Sequence, residues 1–407
     1  MTDVIAELRS FLGANLPDGW ADAVEAGDEE RLRRLRDGLD NRAFVQRLGA
    51  AGWVAPHWAV PHGGLGVDRA AAHAVLAELD RWDVPRIPRG SGLPLAAPTI
   101  LEWSSEATKR RFLPKIVTGE ERWCQLFSEP GAGSDLASLA TSAVRDGDEW
   151  VVNGQKVWTT FGHESEFAML LARTDPTVPK HQGITYFGLD MRLPGVEVRP
   201  LVQMTGEVEF NEVFLSDVRI PDLYRISPTG EGWAATNTTL SAERYALAGG
   251  PRKRKASDEI LGGKTIDEVL QLANATGAAA DPVRRDRVTR EYIRSRVLAL
   301  TIQRSRAAAD TGQAAGPAGS LTKIAKAAAN QSLQVLAIEL LGAHGQAWDA
   351  ADAMVPGFVR EFLRTRANSI EGGTSEIQRN IVGERILGLP REPDPFKGRP
   401  WNEVPRS

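Results

Sequence analysis

The hydrophobic period of this chain changes twice, and that restricts its fold more than any other feature. From residue 3 to about 120 the apolar residues recur at helical spacing. Val4, Leu8, Phe11 and Leu12 fall on one face, and Leu32, Leu35 and Leu39 on another. Asp68 stands as an N-cap before RAAAHAVLAELDR, with Val75, Leu76 and Leu79 as the stripe that helix would bury. The Gly- and Pro-rich GWVAPHWAVPHGGLGVD predicts a structured loop. From about 121 to 230 the period falls to two, in ERWCQLFS, EWVVNGQKVWTT, EFAMLLART, GITYFGLDM, GVEVRPLV and VEFNEVFLSDVRI. Within the second of these, Asn153-Gly154 between two apolar runs predicts a type I′ hairpin turn. From about 231 the helical period returns in YIRSRVLALTIQRSRAAAD, LTKIAKAAANQSLQVLAIELLG and EIQRNIVGERILG. The expected fold is α+β: an N-terminal α-helical domain over 1–120, a middle antiparallel β domain over 121–230, a C-terminal helical bundle over 231–390 and a proline-rich tail over 391–407.

Composition removes several classes of function. With 407 residues, 42% of them hydrophobic, the chain has ample material for a folded core. Lys and Arg number 49 against 53 Asp and Glu, a net charge of -4 that gives no footprint for nucleic acid or an anionic membrane. Cys124 is the single cysteine, which excludes an internal disulfide and a cysteine-based zinc cluster and suits a reducing, cytoplasmic setting. The six histidines lack a ligand spacing, so no catalytic metal is expected. No stretch of about 18 apolar residues predicts a membrane span. The opening residues, carrying Asp3 and Glu7, read as neither signal nor transit peptide. Any redox chemistry must therefore come from an organic cofactor.

The most informative stretch runs from Cys124 to Gly162, CQLFSEPGAGSDLASLATSAVRDGDEWVVNGQKVWTTFG. Gly131, Gly133 and Ser134 form a small-residue turn whose N–H groups can approach a ligand. Trp158 near the end of a strand can lay its face on a planar ring, with the hydroxyls of Thr159 and Thr160 beside it. Taken singly, these residues read more simply as a plain turn and a core tryptophan.

Taken together they resemble the acyl-CoA dehydrogenase family of flavoproteins. Ser128-Glu129-Pro130-Gly131-Ala132-Gly133-Ser134-Asp135 and Asn153-Gly154-Gln155-Lys156-Val157-Trp158-Thr159-Thr160 are similar to its TEPGAGSD and NGxKxWIT motifs. SIEGGTSEIQRNIVGERILG (369–388), ELLGAHG (339–345) and AERYALAGG (242–250) extend the match from residue 3 to about 390. The resemblance implies a middle β-barrel and a C-terminal four-helix bundle. It implies an FAD and thioester site of Gln125, Phe127, Ser128, Gly133, Ser134, Trp158, Thr159 and Thr160, with Glu339, Gly342, Thr374 and Glu376 holding the rest of the FAD, some of them across a subunit boundary. Ser134 and Arg244 are implied at the substrate. The implied reaction is α,β-dehydrogenation of an acyl-CoA in lipid or fatty acid metabolism. A base takes the α proton, the β hydride goes to flavin N5, and an electron-transfer flavoprotein accepts the electrons. The implied assembly is a homo-oligomer, a dimer or tetramer.

The base is where this chain departs from the commonest family pattern, Ile-Tyr-Glu-Gly-Thr-Ser. Here the residues are Ile370-Glu371-Gly372-Gly373-Thr374-Ser375, so Gly372 falls at the usual base position and Glu371 one residue earlier. The long-chain and isovaleryl branches supply the base from another helix, in a motif similar to Leu240-Ser241-Ala242-Glu243-Arg244 followed by Leu247-Ala248-Gly249-Gly250. Glu243 is thus the implied base. Gly372 keeps the backbone N–H that, with a flavin ribityl hydroxyl, stabilises the enolate oxygen in the family. The family's RxxFG segment is not recognisable; DPVRRDRVTREY stands there, with Arg284, Arg285 and Arg287 as possible phosphate partners or a solvated face. PRKRK at 251–255 is a solvated loop or an attraction for CoA phosphates. Two alternatives stay open: a flavin oxidase or monooxygenase of the same fold, and one subunit of a mixed heterotetramer. Cys124 reads as a small buried thiol.

Overall fold

The computed structural model describes residues 2–247, 262–310, 318–346 and 354–405. It divides into two compact units, Met1–Leu201 with Glu209–Thr239 and Gly398–Ser407, and Val202–Val208 with Leu240–Lys397.

The first unit opens with helices set by the expected stripes. In α1 (Thr2–Asn15) Leu8 and Leu12 are fully buried. The helices α2 (Trp20–Ala26), α3 (Glu29–Asp37) and α4 (Asn41–Ala50) follow, the last two N-capped by Asp28 and Asp40. Asp68 caps α5 (Arg69–Arg81), accepting from the Ala71 N–H at 2.8 Å, and Val75 and Leu79 are its buried stripe. After α6 (Ala97–Trp103), α7 (Glu106–Thr118) carries Phe112 edge-on to Trp123, 5.0 Å between ring centroids, which joins the helices to the sheet.

Seven strands form one sheet: β1 (Trp123–Leu126), β2 (Ser142–Asp146), β3 (Glu149–Thr160), β4 (Phe167–Arg173), β5 (Ile184–Asp190), β6 (Val196–Leu201) and β7 (Phe210–Pro221). The order is β1-β4-β2-β3-β7-β6, with β5 also paired to β4. The middle sheet is curled as expected, but it is not wholly antiparallel. β1 runs parallel to β4, Trp123 opposite Phe167 through Leu126 opposite Leu170. The segment joining them contains β2 and β3 and is long enough for the crossover that parallel strands need. β4 is buried along its whole length, so it reads as a continuous apolar run rather than an alternation.

The expected hairpin at Asn153-Gly154 is absent: β3 runs straight through it. The turn lies earlier, where Asp146 pairs with Glu149 around Gly147, whose φ is +65°. The two neighbours have different tasks inside the sheet. The Asn153 side chain exchanges hydrogen bonds with Asp217, donating to its Oδ1 and accepting from its N–H, both at 2.9 Å, opposite a slip in the β3–β7 register. Gly154 is where β3 passes close to Thr141: a Cβ there would lie 2.4 Å from Thr141 Oγ1 and 2.7 Å from its Cα.

α8 (Gly232–Leu247) begins in the first unit and ends in the second. In the second unit, α9 (Ile266–Ala275), α10 (Pro282–Asp310), α12 (Met354–Arg364) and α13 (Ser375–Arg385) all pack on α11 (Ala318–Leu341). Leu333, Leu336, Ala337 and Leu340 of α11 meet Val269, Leu272 and Phe358 in the core of this helical domain.

The two glycines separate the real turn from the apparent one. Gly147→Ala should cost about 1–2 kcal/mol through its left-handed φ alone, since nothing lies within 4 Å of a Cβ there. Gly154→Ala should cost about 1–3 kcal/mol by overlap with Thr141. Denaturant midpoints of the two variants measure this; an unchanged midpoint for Gly154→Ala contradicts the close approach.

Candidate active site

The loop after β1 is shaped by a buried ion pair. Lys156 on β3 is 0% exposed and Glu129 8%. Lys156 Nζ donates to Glu129 Oε1 at 2.8 Å and to the Phe127 carbonyl at 3.1 Å. The Glu129 carboxylate also accepts the N–H groups of Ala140 and Thr141, at 2.7 and 2.9 Å. One pair of side chains therefore fastens both ends of the segment from 127 to 141 to β3. Burial alone would raise the Glu129 carboxyl, but the Lys156 ammonium and these donors outweigh it and hold the group below the usual carboxylate range. Between the anchors, Glu129 and Ala132 exchange backbone hydrogen bonds at 3.1 and 3.0 Å around Pro130-Gly131. Gly133 and Ser134 then stand exposed, and a Cβ on Gly133 would have no atom within 4 Å.

Trp158 is placed by a second slip in the β3–β7 ladder. Lys156 faces Val213 and Thr159 faces Asn211, so β3 carries one extra residue between them. Trp158 takes a φ of +62°, rare for an aromatic residue, and its side chain is turned outward at 62% exposure. The buried Asn211 side chain donates to the Thr159 carbonyl at 3.0 Å and supports the bulge. Ser128, half-buried, accepts the Val157 N–H at 3.0 Å, which brings the loop beside Trp158. Thr160 is exposed as well. Thr159 is fully buried and its hydroxyl has no partner among the described residues, so its side chain does not share the outward face of Trp158. Gln125 is half-buried in β1, and Phe127 is buried with its ring edge-on to Tyr186. Cys124 is buried and its thiol pushed up to about 12 by burial, so it stays a protonated, inert group in the sheet core.

In the second unit, Glu243 is half-buried on α8. Glu371 is held by neighbours: Arg364 forms a fork to both its oxygens at 3.0 and 3.2 Å, and Asn368 Nδ2 donates at 2.8 Å. Gly372 has a φ of +64° and its carbonyl accepts from Gln378 Nε2 at 3.0 Å. Thr374 N-caps α13, accepting from the Ile377 N–H at 3.2 Å, while Glu376 is exposed and pairs with Arg379. Glu339, exposed, pairs with Arg287, and Arg284 with Asp281. Gly342 has a φ of +58° and open space around it. The Arg244 side chain and the basic run 251–255 lie outside the described residues.

Sequence reasoning missed Lys156 and Glu129 as partners, although both stand in the quoted motifs. A lysine on an alternating strand with a carboxylate in the preceding turn was the available signal. The first unit's surface fits a flavin. An exposed, strained aromatic face suits a planar ring, and the exposed small residues Gly131, Gly133 and Ser134 let an anionic tail approach the backbone.

Three family descriptions match in order along the chain: acyl-CoA dehydrogenase N-terminal domain over residues 8–120, middle domain over 124–218 and C-terminal domain over 230–387. The chain belongs to the acyl-CoA dehydrogenase family and is an enzyme of that flavin-dependent oxidoreductase class. It is 38% identical to acyl-CoA dehydrogenase IpdE1 of Mycobacterium tuberculosis, over 95% of this chain and 97% of that one. Among solved structures it resembles the Tcur3481-Tcur3483 steroid ACAD, with TM-score 0.69 and 28% identity over 96% of this chain and 98% of that one. It also resembles the ChsE4-ChsE5 complex from Mycobacterium tuberculosis, with TM-score 0.65 and 26% identity over 96% and 98%. No helix among the described residues is long and apolar enough to cross a membrane, and no group of three or more potential metal ligands occurs among them.

The buried pair sets a stability test. Lys156→Met should cost about 3–5 kcal/mol by leaving the Glu129 carboxylate unpaired, and adding Glu129→Gln should recover much of it. Because the folded carboxyl lies below its unfolded value, its contribution is present above about pH 4.3 and fades as pH falls below that. Denaturant midpoints at pH 7 and pH 4 measure both effects. A single variant as stable as wild type contradicts the anchoring role.

Proposed function

We propose that this chain is an FAD-dependent acyl-CoA dehydrogenase that converts an acyl-CoA thioester to the trans-2-enoyl-CoA. The carrying observation is Trp158, exposed and in a left-handed backbone conformation beside the 128–134 loop. A bulge that turns a large aromatic residue outward gains nothing for the core, and such strain accumulates at functional sites. FAD, when bound, supplies the acceptor for the β hydride. Gln125, Phe127, Ser128, Gly133, Ser134, Trp158 and Thr160 would hold it in the first unit, Thr159 through its backbone, and Glu339, Gly342, Thr374 and Glu376 in the second.

Glu243 takes the α proton in this reading. Glu371, the other nearby candidate in sequence, has both carboxylate oxygens occupied by Arg364, one of them also by Asn368. The Gly372 N–H donates to the developing enolate oxygen, and the Gln378 bond to the Gly372 carbonyl favours one setting of that backbone. The electron acceptor in this reading is an electron-transfer flavoprotein, and the functional unit a homo-oligomer of two or four chains. A cytoplasmic setting suits both. A flavin oxidase of the same fold is the weaker alternative, because Glu243 has no task in it.

A second reading is favoured by one finding. Two of the solved relatives are named as two-chain assemblies, so this chain is alternatively one subunit of a mixed tetramer. Both readings are tested with purified chain and a panel of straight, branched and steroid-bearing acyl-CoAs. Glu243→Gln should slow anaerobic flavin reduction by about 10²–10⁴-fold, and Glu371→Gln should leave the rate within about tenfold. Full-speed reduction by Glu243→Gln refutes the base assignment. Oxygen consumption in turnover would favour the oxidase. Colourless chain that takes up FAD only with a second protein would establish the mixed assembly.

A further inference from the structure

The C-terminal segment beyond the family match returns to the first unit and docks on the loop that carries Gly133 and Ser134. The family match ends at residue 387, whereas Gly398–Ser407 belongs to the same compact unit as the sheet. Trp401 is 7% exposed. Its backbone N–H donates to the Val178 carbonyl at 2.9 Å, and that of Asn402 to Pro176 at 3.0 Å, beside an antiparallel bridge between Pro179 and Pro400. The Trp401 indole Nε1 donates to the Ser138 carbonyl at 3.3 Å.

Beneath the indole lies Arg173, the last residue of β4, 3% exposed, its guanidinium carbon 4.2 Å from the Trp401 ring centroid. Arg173 draws in three carbonyls: Ala137 at 2.6 Å, Leu139 at 3.0 Å and Lys180 at 3.1 Å. Lys180 in turn pairs with Asp135 at 2.7 Å, and Ser138 Oγ donates to Asp135 at 2.5 Å. Residues 137, 138 and 139 are thus held by Arg173 and Trp401 themselves, and Asp135 through Lys180 and Ser138. A guanidinium between a ring face and carbonyl oxygens is strongest when water is kept out, and the indole excludes it here.

We propose that Trp401 is a positioning residue: with Arg173 it clamps the 135–139 turn and so fixes the backbone of Gly133 and Ser134 that faces the cofactor. This rests on the FAD reading above for its ligand, and on the contacts alone for the clamp. Glu129 and Lys156 hold the loop at its two ends, and between them the Arg173–Trp401 contacts add polar restraints to the burial of Ala137 and Leu139.

The test uses the full chain with Trp401→Ala, Trp401→Phe and, as a control on the exposed side of the same segment, Glu403→Gln. Two quantities are read: amide hydrogen exchange over 135–140, and FAD affinity by flavin fluorescence titration. Trp401→Ala should speed exchange in that stretch by about tenfold and weaken FAD binding by about tenfold, with exchange in β3 and β7 unchanged. Trp401→Phe keeps a ring over Arg173 and loses the indole donor, so it should fall between; Glu403→Gln should match wild type. Unchanged exchange overturns the clamp. Faster exchange with unchanged FAD affinity overturns the positioning role. Loss of exchange protection throughout the unit in both Trp401 variants assigns the residue to general stability and overturns it too. Wild-type chain that binds no FAD either alone or with a second subunit defeats the FAD reading instead, and the clamp is then decided by exchange alone.

Discussion

The Glu129–Lys156 pair is the constraint from which the geometry of the first unit's candidate surface follows. The loop from Phe127 to Thr141 buries Phe127, Ala132, Ala137 and Leu139 but leaves Gly131, Gly133 and Ser134 exposed, so its ends need fixing. A fully buried ammonium must find acceptors, and it takes a carboxylate and a carbonyl from the start of that loop. The carboxylate then captures two amides from the loop's end. Desolvation makes this arrangement exacting: with any one partner missing, the penalty for the buried charge returns. Fixed ends leave the middle free to present backbone N–H groups outward. Rigid anchors around an exposed polar turn are what a preorganised binding loop needs.

The same strand that buries Lys156 turns Trp158 outward two residues later. Strict alternation already places residues 156 and 158 on one face, the inner one. The extra residue in the bulge breaks that rule and reverses Trp158, and Thr159 takes the buried place. The positive φ at Trp158 is the local cost, offset by Asn211 and by pairing on either side. Glycines carry comparable conformations at Gly342 and Gly372 without steric cost, so the two units meet the same need for unusual backbone by different means.

Much of this was legible in the sequence, for reasons that can be traced. Helical stripes such as Leu8/Leu12 and Val75/Leu79, and the Asp68 cap, depend on neighbours within one turn, so local pattern was sufficient. Six strands were legible as alternating or continuous apolar runs, but β2 was not, being short and largely exposed. The Asn153-Gly154 signal failed because its turn chemistry was engaged by a residue far along the chain, Asp217, while Asp146-Gly147 made the turn. The parallel pairing of β1 with β4 is equally non-local. At the candidate site, the motif residues were found by likeness to a family, yet the partners that hold them were not: Arg173 and Trp401 act across long stretches of chain, and Arg364 and Gln378 bond across an irregular turn that has no repeating pattern to read. Pattern reading finds what points at a ligand more readily than what holds it there.

That distinction bears on where the base sits. Gly372 lies at the position that carries the base in the commoner family pattern, and its φ of +64° is one that side chains adopt at a cost of about 1–2 kcal/mol. With glycine there, the chain keeps an N–H and a tightly held carbonyl but presents no carboxylate, and the adjacent Glu371 is tied to Arg364 and Asn368. Both oxygens of that carboxylate are engaged by the guanidinium fork, which fixes the direction of the side chain. In the proposed reaction, proton abstraction is therefore assigned to a carboxylate outside the 369–375 turn. Glu243 is the proposed base because a helix residue's direction is set by α8 and not by that turn. Separating the base from the oxyanion donor in this way lets the turn be shaped for the N–H alone.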